Sequence, residues 1–261
     1  TFMSARAVLW LRLLNVVGFA LTIVLNTLAN ALPINGRTTG ELSGLYPNLF
    51  VPAGLTFSIW GLIYLLLALF VVFQLVALPA ATVQRIGLWF LLASVANAAW
   101  ILAWHFERVT LSLLIMLALL VSLLAVYLRL GIGTGSPGWG VKLAVHLPFS
   151  VYLGWITIAT VANATALLVH IGWGRFGLSE EFWTVAVLIV ATAITVAMLL
   201  RRNDLFYALV VLWAFAGIAI KRQAVDPEPR VALLATLGAS GVLLVLLAVF
   251  RLRAWLAWSR S

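Results

Sequence analysis

No cysteine occurs anywhere in the 261 residues, which excludes disulfides, thiolate nucleophiles and cysteine-held metals. Charge is scarce as well: Asp, Glu, Lys and Arg make up 9% of the chain, where a soluble globular domain carries about a quarter. The seven acidic residues, Glu41, Glu107, Glu180, Glu181, Asp204, Asp226 and Glu228, all fall in connecting stretches or at the ends of apolar runs. The mid-membrane carboxylate that coupled pumps and transporters keep is therefore missing. Both lysines, Lys142 and Lys221, also sit at run ends, so a retinal Schiff base has no buried amine. Paired catalytic carboxylates, a phosphate-binding P-loop, closely spaced metal-binding histidines and an activated serine are not recognisable. The chain is expected to be no enzyme, to bind no metal and to require no cofactor.

What fills the sequence instead is apolar: 65% of the residues are hydrophobic. Runs such as LSLLIMLALLVSLLAVYL are apolar on every side, unlike the alternating strands of a membrane barrel. A helix needs roughly 20 such residues to cross the hydrocarbon core, and lipid offers its backbone no other partner. The fold class is accordingly all-α, a polytopic transmembrane bundle of about eight spans, at residues 8–31, 52–77, 86–104, 109–130, 143–169, 182–200, 204–220 and 231–255. Two connections are long. LPINGRTTGELSGLYPNLFVP, after the first span, is punctuated by Pro, Gly and Asn, which predicts mostly non-helical backbone. HIGWGRFGLSEE, after the fifth, marks a module boundary between residues 1–170 and 171–261.

The formal charge of +9 would suggest nucleic acid in a soluble protein, but here the basic residues flank apolar runs, where they snorkel and set topology. No nucleic-acid partner is expected. Assigning loops to alternate sides puts Arg6, Arg12, Arg85, Arg129, Lys142, Arg201, Arg202, Arg251, Arg253 and Arg260 with the termini, against Arg37, Arg108, Arg175, Lys221, Arg222 and Arg230. Ten against six predicts cytoplasmic termini. The first span resembles a signal peptide in ending on ANA, yet reads as a true helix, with Asn15, Thr22, Asn26 and Asn30 on one side facing protein.

Polar and aromatic residues recur together in three spans. The second begins with Pro52 and carries Phe57, Trp60 and Tyr64; the third holds Asn97 and Trp100; the fifth holds Tyr152, Trp155 and Asn163 within YLGWITIATVAN. In order and spacing these resemble the translocator protein family, the tryptophan-rich sensory proteins or TspO/MBR group, over about residues 8–170. The family's W-x-P-P element before the second helix is reduced here to Pro52, and Val151 stands where a proline usually precedes the fifth-helix tyrosine. The resemblance implies a five-helix bundle, lidded by the first loop, that binds a porphyrin, haem-like molecule, sterol or other flat lipophilic ligand, often as a homodimer. The last three spans would be an extension of that form.

Aromatic faces plus a few orienting amides suit such a pocket on physical grounds also. Trp60, Tyr64, Asn97, Trp100, Tyr152, Trp155 and Asn163 are the expected ligand-binding residues. The blander account makes Asn97 and Asn163 interhelical glue and leaves many of the twelve tryptophans at the bilayer interface. His105 and His170 fall on one membrane face and His146 on the other, with interfacial hydrogen bonding the expected role. Leu124, Tyr127 and Arg129 match a proposed cholesterol-contact pattern. The expected function is an integral protein of a bacterial cell membrane that binds a tetrapyrrole or similar lipophile as sensor, carrier or scavenger. The alternatives are an accessory subunit of a larger membrane complex and a permease for a small uncharged solute.

Overall fold

The computed structural model describes residues 3–32, 34–225 and 230–258. Asp226, Glu228 and Arg260 fall outside the described residues, as do the side chains of Arg230, Arg251 and Arg253. The described backbone is helical, with turns between: α1 (Ala5–Ala31), α2 (Thr39–Gly44), α3 (Ile59–Val76), α4 (Ala80–Ile86), α5 (Trp89–His105), α6 (Val109–Leu130), a single turn α7 (Trp139–Val141), α8 (Leu147–His170), α9 (Glu180–Arg202), α10 (Leu205–Val225) and α11 (Arg230–Trp258). Seven described helical stretches are long and apolar enough to cross a membrane, and an eighth is formed if α4 and α5, bent by 45°, act as one span. The third span expected, residues 86–104, falls on α5, and the bend that joins α4 to it was not foreseen. Its cause is Gly87, whose φ of 56° and ψ of −137° interrupt the helix.

Helix ends follow local chemistry. Ser4 caps α1, its side chain accepting from Ala7 N, and Ser179 caps α9, accepting from Phe182 N. Glu180 and Glu181 occupy the first turn of α9 and Arg201 and Arg202 its last, each matching the helix dipole, before Asn203 ends it in the left-handed region. Within the first long connection, predicted to be mostly non-helical, Thr38 and Glu41 close a capping box that nucleates α2. The chain from 46 to 53 then runs as a strap, folded on Asn48, whose Oδ1 accepts from the N–H groups of both Phe50 and Val51.

Burial is inverted relative to a soluble protein. Leu65, Val72, Leu114, Ile189 and Val245 are exposed, as lipid-facing residues are, while the polar stripe of α1 turns inward. Asn15, Thr22 and Asn26 are buried as expected; Asn30, at the helix end, is exposed and its Nδ2 donates to Asn26 O. α8 forms the axis of the molecule. From Pro148 to Ile156 every residue is buried, because α3 and α6 cover one side and α10 the other. Gly154 permits that approach: a Cβ there would lie 3.2 Å from Val210 Cβ and 3.3 Å from Tyr207 O. One hydrophobic core consequently runs from α1 to α11 across the expected module boundary.

Candidate functional site

At the end of the bundle where α2 lies, three tryptophans gather around Trp60. Its ring stacks on Trp100 at 6.0 Å between centroids and on Tyr64 at 5.6 Å, and meets Tyr152 and Trp155 edge-on at 6.1 and 6.2 Å. Trp104 extends the stack from Trp100 at 6.3 Å, and Phe57 stands edge-on to Trp155 at 5.9 Å. Helices 3, 5 and 8 thus converge on one point, as the spacing in the sequence implied. The enclosed space is lined by Trp60, Trp100, Trp155 and Asn163, together with the lid residues Thr39 and Ser43. Pro52, Phe57 and Trp104 complete its wall, and Ile158, Ala159 and Ala162 give it an apolar floor along α8. Small side chains at 159 and 162 leave the α8 face flat.

The space is small. Its volume is about 40 Å³, whereas pockets for drug-sized ligands run from about 300 to 1,000 Å³. The rings fill most of the space that they frame, and room for a molecule of that size would need a lid residue or a ring to move.

The amides divide into two circuits. Asn26 Nδ2 donates to Asn97 Oδ1 at 2.6 Å, and Asn97 Nδ2 donates to the Tyr152 hydroxyl at 2.9 Å, linking α1, α5 and α8. Trp100 Nε1 donates to Asn163 Oδ1 at 3.2 Å, while Asn163 Nδ2 donates to Ser112 Oγ at 3.0 Å, linking α5, α6 and α8. Of the seven residues expected at the site, Trp60, Trp100, Trp155 and Asn163 line the space. Tyr64, Asn97 and Tyr152 stand one layer behind it, where Asn97 and Tyr152 fix the rings through the first circuit.

Two lining groups have no partner among the described residues: the indole N–H of Trp155 and the hydroxyl of Thr39, both buried. The Tyr64 hydroxyl is buried and unpartnered as well. Leaving such a group unpaired costs about 1–3 kcal/mol, and two of the three, on Trp155 and Thr39, belong to residues that line the space. Thr39 and Ser43 were missed in the sequence because they lie in a connection read as loop. Trp104 was missed because an interfacial anchor was the simpler reading of a tryptophan near a span end.

The histidines take local roles. His105 Nδ1 lies 2.7 Å from Ile101 O, and the Tyr46 ring packs edge-on against His170 while also meeting Trp104. Tyr127 of the cholesterol-contact pattern is buried and its hydroxyl donates to Asp204 Oδ2 at 2.8 Å, so it presents no face to a membrane sterol.

The extension holds the site's rim. Glu180 Oε1, in the first turn of α9, accepts from Leu49 N at 2.9 Å. Ala53 N donates to Gly217 O of α10 at 3.0 Å, and Trp213 Nε1 donates to Thr56 O at 2.9 Å. These bonds secure the strap and the short 3-10 turn Gly54–Ser58, which carries Phe57 into the wall.

A family model described as TSPO-like protein matches residues 12–250. The chain belongs to the TSPO-like protein family. The match continues through α9, α10 and most of α11, so this TSPO-like protein shares its appended helices with the family pattern that it fits. It is an integral membrane protein with an all-α, polytopic fold. No curated protein and no solved structure matches this TSPO-like protein.

Proposed function

We propose that this protein binds a tetrapyrrole or similarly flat, lipophilic molecule within its first five spans, which run from α1 to α8, as a sensor, carrier or scavenger in a bacterial cell membrane with both termini cytoplasmic. It acts by binding and not by catalysis. The observation that carries this reading is the unpartnered Trp155 indole N–H inside a wall of stacked rings. Ring faces favour a flat conjugated partner, and a buried N–H favours one that also presents an acceptor. A porphyrin offers both, through its macrocycle and its carboxylates. Membership of the TSPO-like family agrees with such a ligand.

Titrating purified protein with protoporphyrin while following tryptophan fluorescence tests it. Saturable quenching is expected, with affinity lowered in Trp155→Ala and Trp60→Ala. Non-saturating quenching, or affinity unchanged from wild type in both variants, refutes the site.

A second reading is supported by α11, whose described side chains Leu234, Leu237, Val242 and Val245 are at least half exposed along its length. Such a face fits a homodimer or a larger membrane complex as well as lipid. Co-purification in mild detergent separates the readings: a chain that always emerges alone and binds porphyrin is a binder without obligatory partners.

A further inference from the structure

A second hollow lies at the opposite end of α8 from the lid. It has a volume of about 490 Å³ and is bounded by the 131–138 connection, the first turns of the α7–α8 segment and the corner between α9 and α10. Two cations face it from different elements, Lys142 and Arg202. Neither has an ion-pair partner among the described residues, where the ion pairs are Arg37–Glu107 and Arg175–Glu180. Each is instead held against an aromatic face: Lys142 Nζ lies 5.0 Å from the Trp139 ring centroid, and the Arg202 guanidinium carbon 5.9 Å from that of Tyr127. Arg202 Nη1 also donates to Ile132 O at a long 3.5 Å, and the other side-chain donors of the two cations make no hydrogen bond among the described residues, so they can meet an anion.

The surrounding backbone is built to hold them there. Residues Lys142–His146 form a π-helical turn, a feature that recurs at functional sites, and it brings Lys142 and the half-buried His146 to the same hollow. The connection reads GIGTGSPG. Gly133, at φ 81°, rests against the Arg202 backbone so closely that any side chain would collide with Arg202 O. The N–H groups of Gly135 and Ser136 make no hydrogen bond among the described residues and border the same space. The one carboxylate present, Asp204, is already engaged, accepting from the Tyr127 hydroxyl at 2.8 Å and from Tyr207 N at 3.1 Å. An adjoining hollow of about 440 Å³ shares Ser136 and His146 and adds Arg85. The balance of charge is positive, at the end of a membrane-spanning bundle, where lipid headgroups lie.

We infer that this hollow is a binding site for a phosphate group, held between Lys142 and Arg202 over the amides of the 131–138 connection, and that its occupant is the headgroup of an anionic phospholipid. Basic pockets between helix ends suit such headgroups, and each Lys or Arg near them contributes about fivefold in affinity.

Native mass spectrometry of the full-length protein in detergent, titrated with palmitoyl-oleoyl phosphatidylglycerol or the matching phosphatidylcholine, tests the inference. Inorganic phosphate and glycerol phosphate, followed by calorimetry, form the soluble arm. Phosphatidylglycerol should bind in preference to phosphatidylcholine, about fivefold more weakly in Lys142→Gln and about thirtyfold more weakly in the Lys142→Gln, Arg202→Gln pair. Lys142 is exposed, so its single variant keeps the test available should the pair fail to fold. Binding of soluble phosphate with the same dependence on both residues, without lipid preference, supports the phosphate site and overturns the lipid as its source. Phosphatidylglycerol bound equally by wild type and Lys142→Gln, or no more tightly than phosphatidylcholine, overturns the site.

Discussion

Trp155 separates what a ring does from what its N–H does. The ring packs against Trp60 and Phe57, while the N–H meets nothing among the described residues. Trp155→Phe removes the unpaired donor and keeps an aromatic face, so thermal unfolding should be unchanged or slightly raised. Protoporphyrin affinity should fall about five- to tenfold, the worth of one hydrogen bond of roughly 1 kcal/mol. A parallel loss of stability and affinity would show that the residue acts through packing alone. Asn97 predicts the opposite pattern. Both ends of its side chain are engaged, so Asn97→Ala strands Asn26 and Tyr152 and should lower stability by about 1–2 kcal/mol. A double-mutant cycle with Tyr152→Phe should return a coupling of roughly 0.6 kcal/mol, the usual size of an interhelical hydrogen bond in membranes. The identity of the clustered residues was legible because tryptophan, tyrosine and asparagine are conspicuous in an apolar run. Their division into lining and support was not, since a helix face fixes direction but not which neighbour arrives first.

Among the elements, α2 and the 3-10 turn Gly54–Ser58 bring Thr39, Ser43 and Phe57 to the wall of the ringed space. Glu41 latches the start of α2: its carboxylate accepts from the Thr38 N–H at 2.7 Å and from the Thr38 hydroxyl at 2.9 Å, which holds its pKa below the ordinary 4.5. A depressed carboxylate stabilises the folded lid above its unfolded value and ceases to do so as pH falls through the folded one. Lid order should therefore be constant near neutrality and decline only below pH 4.5. Hydrogen exchange at the α2 amides checks this, with Glu41→Gln abolishing the pH dependence. Gly217 tests the other tether. A methyl group there would strike the Thr56 side chain, so Gly217→Ala should displace the turn that carries Phe57 and weaken porphyrin binding. Thr56→Gly in the same chain should restore it; failure to restore would place the defect within α10. The Thr38-x-x-Glu41 signature was readable in TTGE, but Pro, Gly and Asn around it outweighed one short motif. Gly87, where α4 and α5 part, is one of nineteen glycines and does not stand out among them, and the π turn before α8 leaves no comparable mark in sequence.

For the molecule as a whole, the space of about 40 Å³ and the tethers from α9 and α10 would make entry of the proposed ligand a conformational step. The eight-span, all-helical plan was legible from apolar run lengths alone. The coupling of the last three helices to the rim was not, because the Glu180 carboxylate, the Trp213 indole and Gly217 all meet backbone groups of the strap and turn, which carry no mark in the sequence. If the strap must leave α9 for a ligand to enter, fixing the two together should slow association much more than it alters affinity. The chain contains no native cysteine, so a pair introduced at Pro47 and Trp183, which border one hollow between strap and α9, reacts alone with a flexible bis-maleimide. Stopped-flow tryptophan quenching by protoporphyrin should show association slowed at least about tenfold in the bridged protein, against the same variant capped at each cysteine with a mono-maleimide. The capped control carries comparable added bulk without the bridge, so any difference between them reports the tether itself. Equal association rates in bridged and capped protein would mean that the ligand enters between transmembrane helices from the lipid, with the strap and the extension serving only to hold the rim in place.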